Sequence, residues 1–240
     1  MLEKIVGDLH CHTIASVHAY NTIFENISRA KELGYKVLAI TDHAIAVPAS
    51  APIEYFDNLI ALPRKYQGIT ILRGCEANIL SGDGEIDMPI ETLRKLDIVI
   101  ASIHTVCYDF KNYKDCTHAY EVVASNPLVN IIGHSGTTQF PFDYEKVVPL
   151  FAKAGKIVEL NTHSFICRKD AYDNCKRIMS LCKKHDCRIA VNSDAHVITE
   201  MGNLDEARKM LEDLDFPEEL IINANETNMK NYLDELKLED

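Results

Sequence analysis

Several kinds of protein are excluded by what this chain lacks. No uninterrupted apolar run approaches the roughly 18 residues needed to span a bilayer. The first twelve residues meet acids at Glu3 and Asp8 before the apolar core of a signal peptide could form. Both absences lead us to expect a cytoplasmic protein with no membrane partner. Cations are outnumbered, 25 Lys and Arg against 36 Asp and Glu, for a formal net charge of −11. That balance opposes an extended nucleic acid, whose phosphates need a basic groove. It leaves room for a small phosphorylated substrate, because Arg168, Lys169, Lys176 and Arg177 lie close together. The eight cysteines include no C-x-x-C pair and sit in apolar or strand-like contexts, so reduced thiols are expected rather than disulfides. No Pro/Ser linker, low-complexity tract or short repeat divides the chain. The expectation is one domain over residues 1–240.

What is present is a regular alternation. Short β-prone runs fall at 4–10, 36–42, 69–76, 97–104, 129–134, 156–161 and 188–194, with helical patterns between most of them. Thr22-Ile23-Phe24-Glu25 has the form of a capping box, and Gly34 supplies a stop after Leu33. Leu204, Ala207, Leu211 and Leu214 share one helical face. Helices are also predicted over 53–65, 114–125, 143–154, 170–185 and 226–236. Alternating short, apolar, β-branched strands and helices imply a parallel sheet covered on both faces. Periodicity alone leaves an open doubly wound sheet and a closed barrel as alternatives.

The residues at the strand ends favour the barrel. Strand one ends in His10 and His12, strand two in Thr41-Asp42-His43, and strand three in Glu76. The remaining four end in His104, in His134, in Asn161, and in Asp194 and His196. In a parallel α/β barrel these ends surround one mouth, whereas an open sheet would string them along an edge. Residues two apart on a strand share a face, so His10 pairs with His12 and Asp194 with His196. By the same spacing Asp8 sits one step below His10, where it would orient an imidazole, and Cys11 points away as a packing residue. His18 lies in a loop that can fold back over the mouth.

Taken singly, each residue has a plainer explanation. An H-x-H pair can be structural, T-D-H and Asp194 can cap helices, and Glu76 can be a salt-bridge partner. The joint placement of seven of the ten histidines at or just past strand ends is what points to a metal site. His118 and His185 fall on predicted helices and are expected in solvent. His163, just past strand six, fits either the substrate pocket or a surface loop. Arg168 is the cation placed to grip phosphate bidentately; the rest of its basic cluster fits a solvated helix face.

The runs Asp8-Leu9-His10-Cys11-His12-Thr13 and Ala15-Ser16-Val17-His18-Ala19-Tyr20 resemble the opening motif of the PHP (polymerase and histidinol phosphatase) superfamily. Thr41-Asp42-His43, Leu72 to Asn78, Asp83-Gly84-Glu85-Ile86-Asp87 and Asn192 to His196 resemble its later motifs. The likeness runs nearly end to end and is strongest to the YcdX-like phosphatase branch. It implies an α/β fold, a distorted (β/α)7 TIM-like barrel, holding three divalent metal ions, commonly zinc, with manganese or iron as alternatives. It implies one ion held by His10, His12, Glu76 and Asp194, a second by His18, His43 and His196, and a third by Glu76, His104 and His134. Imidazole and carboxylate without thiolate suits such catalytic ions.

The expected activity is phosphomonoester hydrolysis by metal-activated hydroxide, with His10, His12, Glu76 and Asp194 acting through that hydroxide and Arg168 and His163 touching substrate. A phosphodiesterase or exonuclease, a histidinol phosphatase and a non-enzymatic metal-binding scaffold are the alternatives. Ser135-Gly136-Thr137 and Thr162-His163-Ser164 depart from the family pattern beside the mouth and leave the substrate open. The resemblance also implies a homo-oligomer, a trimer in that branch.

Overall fold

The computed structural model describes residues 5–108, 111–168 and 170–238; Lys4 of the first predicted strand and Lys169 of the basic cluster lie outside them. Seven strands form one parallel sheet: β1 (Gly7–Asp8), β2 (Val37–Ile40), β4 (Ile69–Asn78), β5 (Ile98–Ser102), β6 (Ile131–Ile132), β7 (Ile157–Asn161) and β8 (Ile189–Asn192). They run β1-β2-β4-β5-β6-β7-β8, and helices cross over between them. The short β3 (Lys65–Tyr66), which the sequence pattern did not announce, pairs antiparallel with the start of β4. All seven predicted strands are present, six of them trimmed, while β4 runs two residues past its predicted end.

Alternation along the strands separates two apolar layers. Val37, Ala39, Leu72, Ile98, Ile100, Ile131, Ile157 and Ala190 pack together as the barrel interior. Their neighbours Leu38, Ile40, Ile71, Val99, Ala101, Ile132 and Val158 pack outward in the helix layer. Met229 and Tyr232 of helix Glu226–Leu236 join the inner cluster, closing the barrel opposite the strand ends.

The barrel is nearly closed. Between β8 and β1 the regular ladder gives way to two backbone bonds, Asp194 N to His10 O (2.9 Å) and His12 N to Ala195 O (3.0 Å). Deeper down, the Asn223 side chain takes the place of a strand residue. Its Oδ1 accepts from Val191 N (3.0 Å), and its Nδ2 donates to Gly7 O (2.9 Å) and Val191 O (2.6 Å). The last stitches of closure therefore run through site residues themselves.

Helix Ile23–Leu33 carries the predicted capping box, Thr22 with Glu25, and ends at Gly34 in the left-handed region, φ 75°. The predicted 53–65 helix is instead an α-turn, Ile53–Asp57, and a 3-10 turn, Asn58–Ala61. Pro63 is the reason: the residue before proline is driven out of the helical region, and Leu62 sits at ψ 133°. Helices at 113–125, 144–153, 171–184, 205–213 and 226–236 match expectation within a residue or two. Among the described residues no helix is long and apolar enough to cross a membrane, and all eight cysteines are free.

Candidate metal centre

Loop backbone past the strand ends aims the site. Asp194 and His134 both have positive φ, 53° and 22°, a region L-residues with side chains rarely occupy. Such strain persists only where surrounding contacts enforce it. Before His134, a Cβ on Gly133 would lie 2.1 Å from Ser102 Oγ. Glycine there lets β6 approach β5 and brings His134 beside His104.

All nine predicted ligands converge, and they fall into three groups of facing nitrogens. His10 Nε2 lies 3.1 Å from His12 Nε2. His18 Nε2 lies 3.2 Å from His43 Nε2 and 3.1 Å from His196 Nε2. His104 Nε2 lies 3.1 Å from His134 Nε2. Asp194 Oδ1 adjoins the first group at 3.0 Å from His12 Nε2. Glu76 is shared: Oε1 is 2.8 Å from His134 Nε2 and 3.5 Å from His10 Nε2, and Oε2 is 2.7 Å from His43 Nδ1.

The opposite nitrogens show why those Nε2 atoms could serve as donors to a cation. His10 Nδ1 donates to Glu159 Oε1 (2.7 Å), His104 Nδ1 to Asn78 Oδ1 (2.6 Å), and His196 Nδ1 to Asp194 O (2.9 Å). His12 Nδ1 donates to Ser16 Oγ (2.9 Å). A neutral imidazole that donates from Nδ1 presents a lone pair at Nε2. Lone pairs facing at about 3 Å repel unless a proton or metal ion lies between them. Glu76 Oε2 and His43 Nδ1, both buried, face each other at 2.7 Å, which leaves His43 Nε2 turned toward His18. The donor set thus fits divalent ions on an observation of its own geometry.

Electrostatics agree. Burial would raise the Glu76 carboxyl, but His104, His10 and His43 overcome it and hold the group well below the usual range. Burial likewise opposes charge on His10, yet Glu159, Asp194 and Glu76 carry its imidazole well above its ordinary value. Burial pushes both His18 and His134 down to about 4. In the same set His43 is also held above its ordinary value, burial being overcome chiefly by Glu76.

The reading of Asp8 is corrected by the structure. Asp8 pairs with Leu38 on the outward face of β1, and the strand bends at Leu9, so the alternation slips before His10. Its carboxylate accepts from the backbone N of His10 and Ser193 instead of an imidazole. Burial raises its pKa to about 6. The orienting carboxylate is Glu159, on the inner face of β7. It went unnoticed in the sequence, although an acid amid Ile157, Val158 and Leu160 is the kind of signal that could reveal it. Asn161, also at that strand end, donates to Asp194 Oδ2 (3.0 Å). Asn78 is held by Asp87, whose Oδ2 accepts from Asn78 Nδ2 (2.6 Å).

His163 and Arg168 reach the mouth. With His18, His43, His104, Cys167, Asp194 and His196 they line a cavity of about 340 Å³. The His163 ring stacks on His196 at 5.5 Å. Arg168 donates to Ser164 Oγ (2.9 Å) and lies 3.8 Å from Asp194 Oδ2. The basic cluster disperses elsewhere: Lys176 pairs with Asp213, and Arg177 with Glu145 over the Tyr144 ring. His118 is exposed as expected and His185 half-buried at a helix end. Cys11 is fully buried, its thiol bonded to Ala39 O.

Comparison with known proteins completes the description. The family model described as the PHP domain matches residues 8–163. A probable phosphatase of Clostridium botulinum is 43% identical over 230 residues, covering 96% of this chain and 95% of that protein. One of Caldicellulosiruptor saccharolyticus is 43% identical over 231 residues, with the same coverage of both. Among solved structures, the histidinol phosphate phosphatase of Lactococcus lactis, complexed with Zn, L-histidinol and phosphate, superposes with a TM-score of 0.63. It is 16% identical, covering 90% of this chain and 95% of that one, and so supports the fold.

Proposed function

The chain belongs to the PHP domain family, and from that premise we propose that it is a metal-dependent phosphatase hydrolysing small phosphomonoesters at a three-ion centre. The observation that carries this reading is the sorting of seven histidines into three groups of facing Nε2 atoms, with Glu76 shared among them. His10, His12, Glu76 and Asp194 would hold one ion, His18, His43 and His196 a second, and Glu76, His104 and His134 the third. The absence of thiolate from the set favours Zn²⁺, Mn²⁺ or Fe²⁺ in an open catalytic site. Bound there, divalent ions supply a water nucleophile activated near neutral pH and the charge that neutralises phosphoryl oxygens.

The chain's own residues supply position and selectivity. Glu159, Ser16, Asn78 and the Asp194 carbonyl fix four imidazoles with Nε2 toward the centre. The Arg168 guanidinium, steadied by Ser164, grips two phosphate oxygens at once, as its planar fork allows. His163, beside it, offers a ring nitrogen to substrate. The cavity suits a phosphate with a modest organic group, and the net charge of −11 disfavours a polynucleotide.

The test is turnover of p-nitrophenyl phosphate, bis-p-nitrophenyl phosphate and a short oligonucleotide by protein loaded with each metal. The monoester should be hydrolysed fastest, and chelation should abolish activity. Faster turnover of the diester or oligonucleotide would move the assignment to a phosphodiesterase.

A further inference from the structure

One hydroxyl touches two of the three histidine groups. Ser16 Oγ lies 2.9 Å from His12 Nδ1, in the first group, and 3.0 Å from the backbone N of His43, in the second. It also lies 2.6 Å from Asp42 Oδ1. Ser16 and Asp42 are both fully buried, so no solvent competes for these bonds. A hydroxyl has one proton to give, and the direction in which Ser16 gives it decides what His12 must do.

Asp42 decides that direction. Its Oδ1 accepts from Thr13 N (2.6 Å) and Ser16 Oγ, and its Oδ2 accepts from Thr13 Oγ1 (2.8 Å) and Tyr55 OH (2.6 Å). Its Oδ1, already accepting from the Thr13 backbone N–H, takes the Ser16 hydroxyl proton as well. The serine lone pairs are then left for His12 Nδ1–H and His43 N–H. His12 is thereby fixed as the tautomer whose Nε2 lone pair faces His10, and the His43 backbone is pinned by the same atom.

We propose that Ser16 is a positioning residue that couples two metal sites, with Asp42 setting its polarity, so that the ions at the His12 and His43 groups bind cooperatively. The proposal rests on the three-ion reading above. The third group, His104 with His134, has no contact with Ser16: His104 is held through Asn78 and Asp87, and His134 meets the first group through Glu76 and Glu159, neither of which Ser16 touches. Hydrogen-bond partners behind metal ligands typically change affinity by about 10–100-fold when removed.

Two variants separate positioning from general damage. Ser16→Ala removes the hydroxyl from a 3-10 turn, Ile14–Ser16, that tolerates alanine. Asp42→Asn keeps the relay, because Thr13 N and Ser16 both require an oxygen at Oδ1. The new amide nitrogen then falls at Oδ2, where the Thr13 and Tyr55 hydroxyls can turn to accept from it. Metal-free protein is titrated with Co²⁺, and the visible absorption reports each equivalent; circular dichroism checks the fold. We expect Ser16→Ala to bind two of three equivalents about tenfold or more weakly, with the third unchanged, and Asp42→Asn to stay near the unaltered protein. Wild-type affinity for all three ions in Ser16→Ala, or equal weakening of all three, overturns the coupling. An Asp42→Asn loss as large as that of Ser16→Ala overturns the polarity argument. If the unaltered protein takes up no Co²⁺, the three-ion reading fails and the coupling with it; uptake of three ions with an indifferent Ser16→Ala sinks the coupling alone.

Discussion

Glu159 Oε1 lies 2.7 Å from His10 Nδ1, with both side chains wholly buried in the barrel. The carboxylate sits on β7 and the imidazole just past β1, so this bond crosses the barrel beneath the mouth. Glu159 also accepts from His134 N at 2.8 Å, which ties a ligand of the proposed third ion to one of the first. Burial alone would raise its carboxyl, but the His10 imidazole holds it below the ordinary value.

Replacing Glu159 should therefore act on metal binding before it acts on chemistry. Glu159→Gln keeps an acceptor for His10 but removes the charge, and should weaken binding at the His10 site by about 10–100-fold. Metal analysis after dialysis against a weak chelator, with activity measured as excess metal is restored, checks this. Recovery of activity at high metal is the expected outcome.

His12→Ala and Asp194→Ala remove ligands themselves, so metal and activity should be lost together. Neither should recover with excess metal. Full p-nitrophenyl phosphate turnover by metal-free His12→Ala protein would refute the proposed chemistry.

Metal affinity should rise with pH. In metal-free protein the His10 pKa is raised above its ordinary value by Glu159, Asp194 and Glu76, against the opposing effect of burial. A raised histidine keeps its proton to higher pH, so an incoming ion must displace it, and affinity climbs until the solution passes that pKa. His18 and His134, both near 4, are already neutral above about pH 5 and add little. Calorimetric titration in buffers of different ionisation enthalpy should show proton release on loading near pH 6.5 that fades at higher pH.

Arg168→Ala should raise KM for a phosphomonoester and lower kcat/KM by about tenfold or more, equivalent to ~1.4 kcal/mol of lost interaction. Arg168→Lys should restore only part of this, since an ammonium cannot hold two oxygens in one plane. Metal content should be unchanged in both. Steady-state kinetics alongside metal analysis make the distinction.

Asn223→Ala tests the closure of the barrel. It leaves Gly7 O, Val191 N and Val191 O without partners where β1 and β8 meet. An unsatisfied buried polar group costs about 1–3 kcal/mol, so urea unfolding should reveal a substantial loss of stability. Metal binding at the adjoining loops should recover part of it.

Much of this was legible in the sequence because strand ends in a parallel barrel share one mouth. His10, His12, His43, Glu76, His104, His134, Asp194 and His196 could be placed from alternation and run length alone, and His18 from its loop. Strand geometry failed at Asp8, where a bend at Leu9 shifts the alternation by one residue, and no residue type there announces the bend. Pro63 was a visible reason for the broken 53–65 helix and was outweighed by the apolar pattern around it. Glu159 and Asn223 stayed hidden because each works through partners brought close only by barrel closure: Glu159 and His10 are 149 residues apart. Ser16 is four residues from His12, but its bonds to Asp42 and the His43 backbone depend on β1 lying beside β2.

The central claim is that three separate ions occupy the three groups of facing histidines, and anomalous diffraction from metal-loaded crystals tests it most directly. Three peaks are predicted: one among His10, His12, Glu76 and Asp194, one among His18, His43 and His196, and one among Glu76, His104 and His134. Peaks absent from these groups, or a fully active enzyme whose crystals show none there, would contradict it.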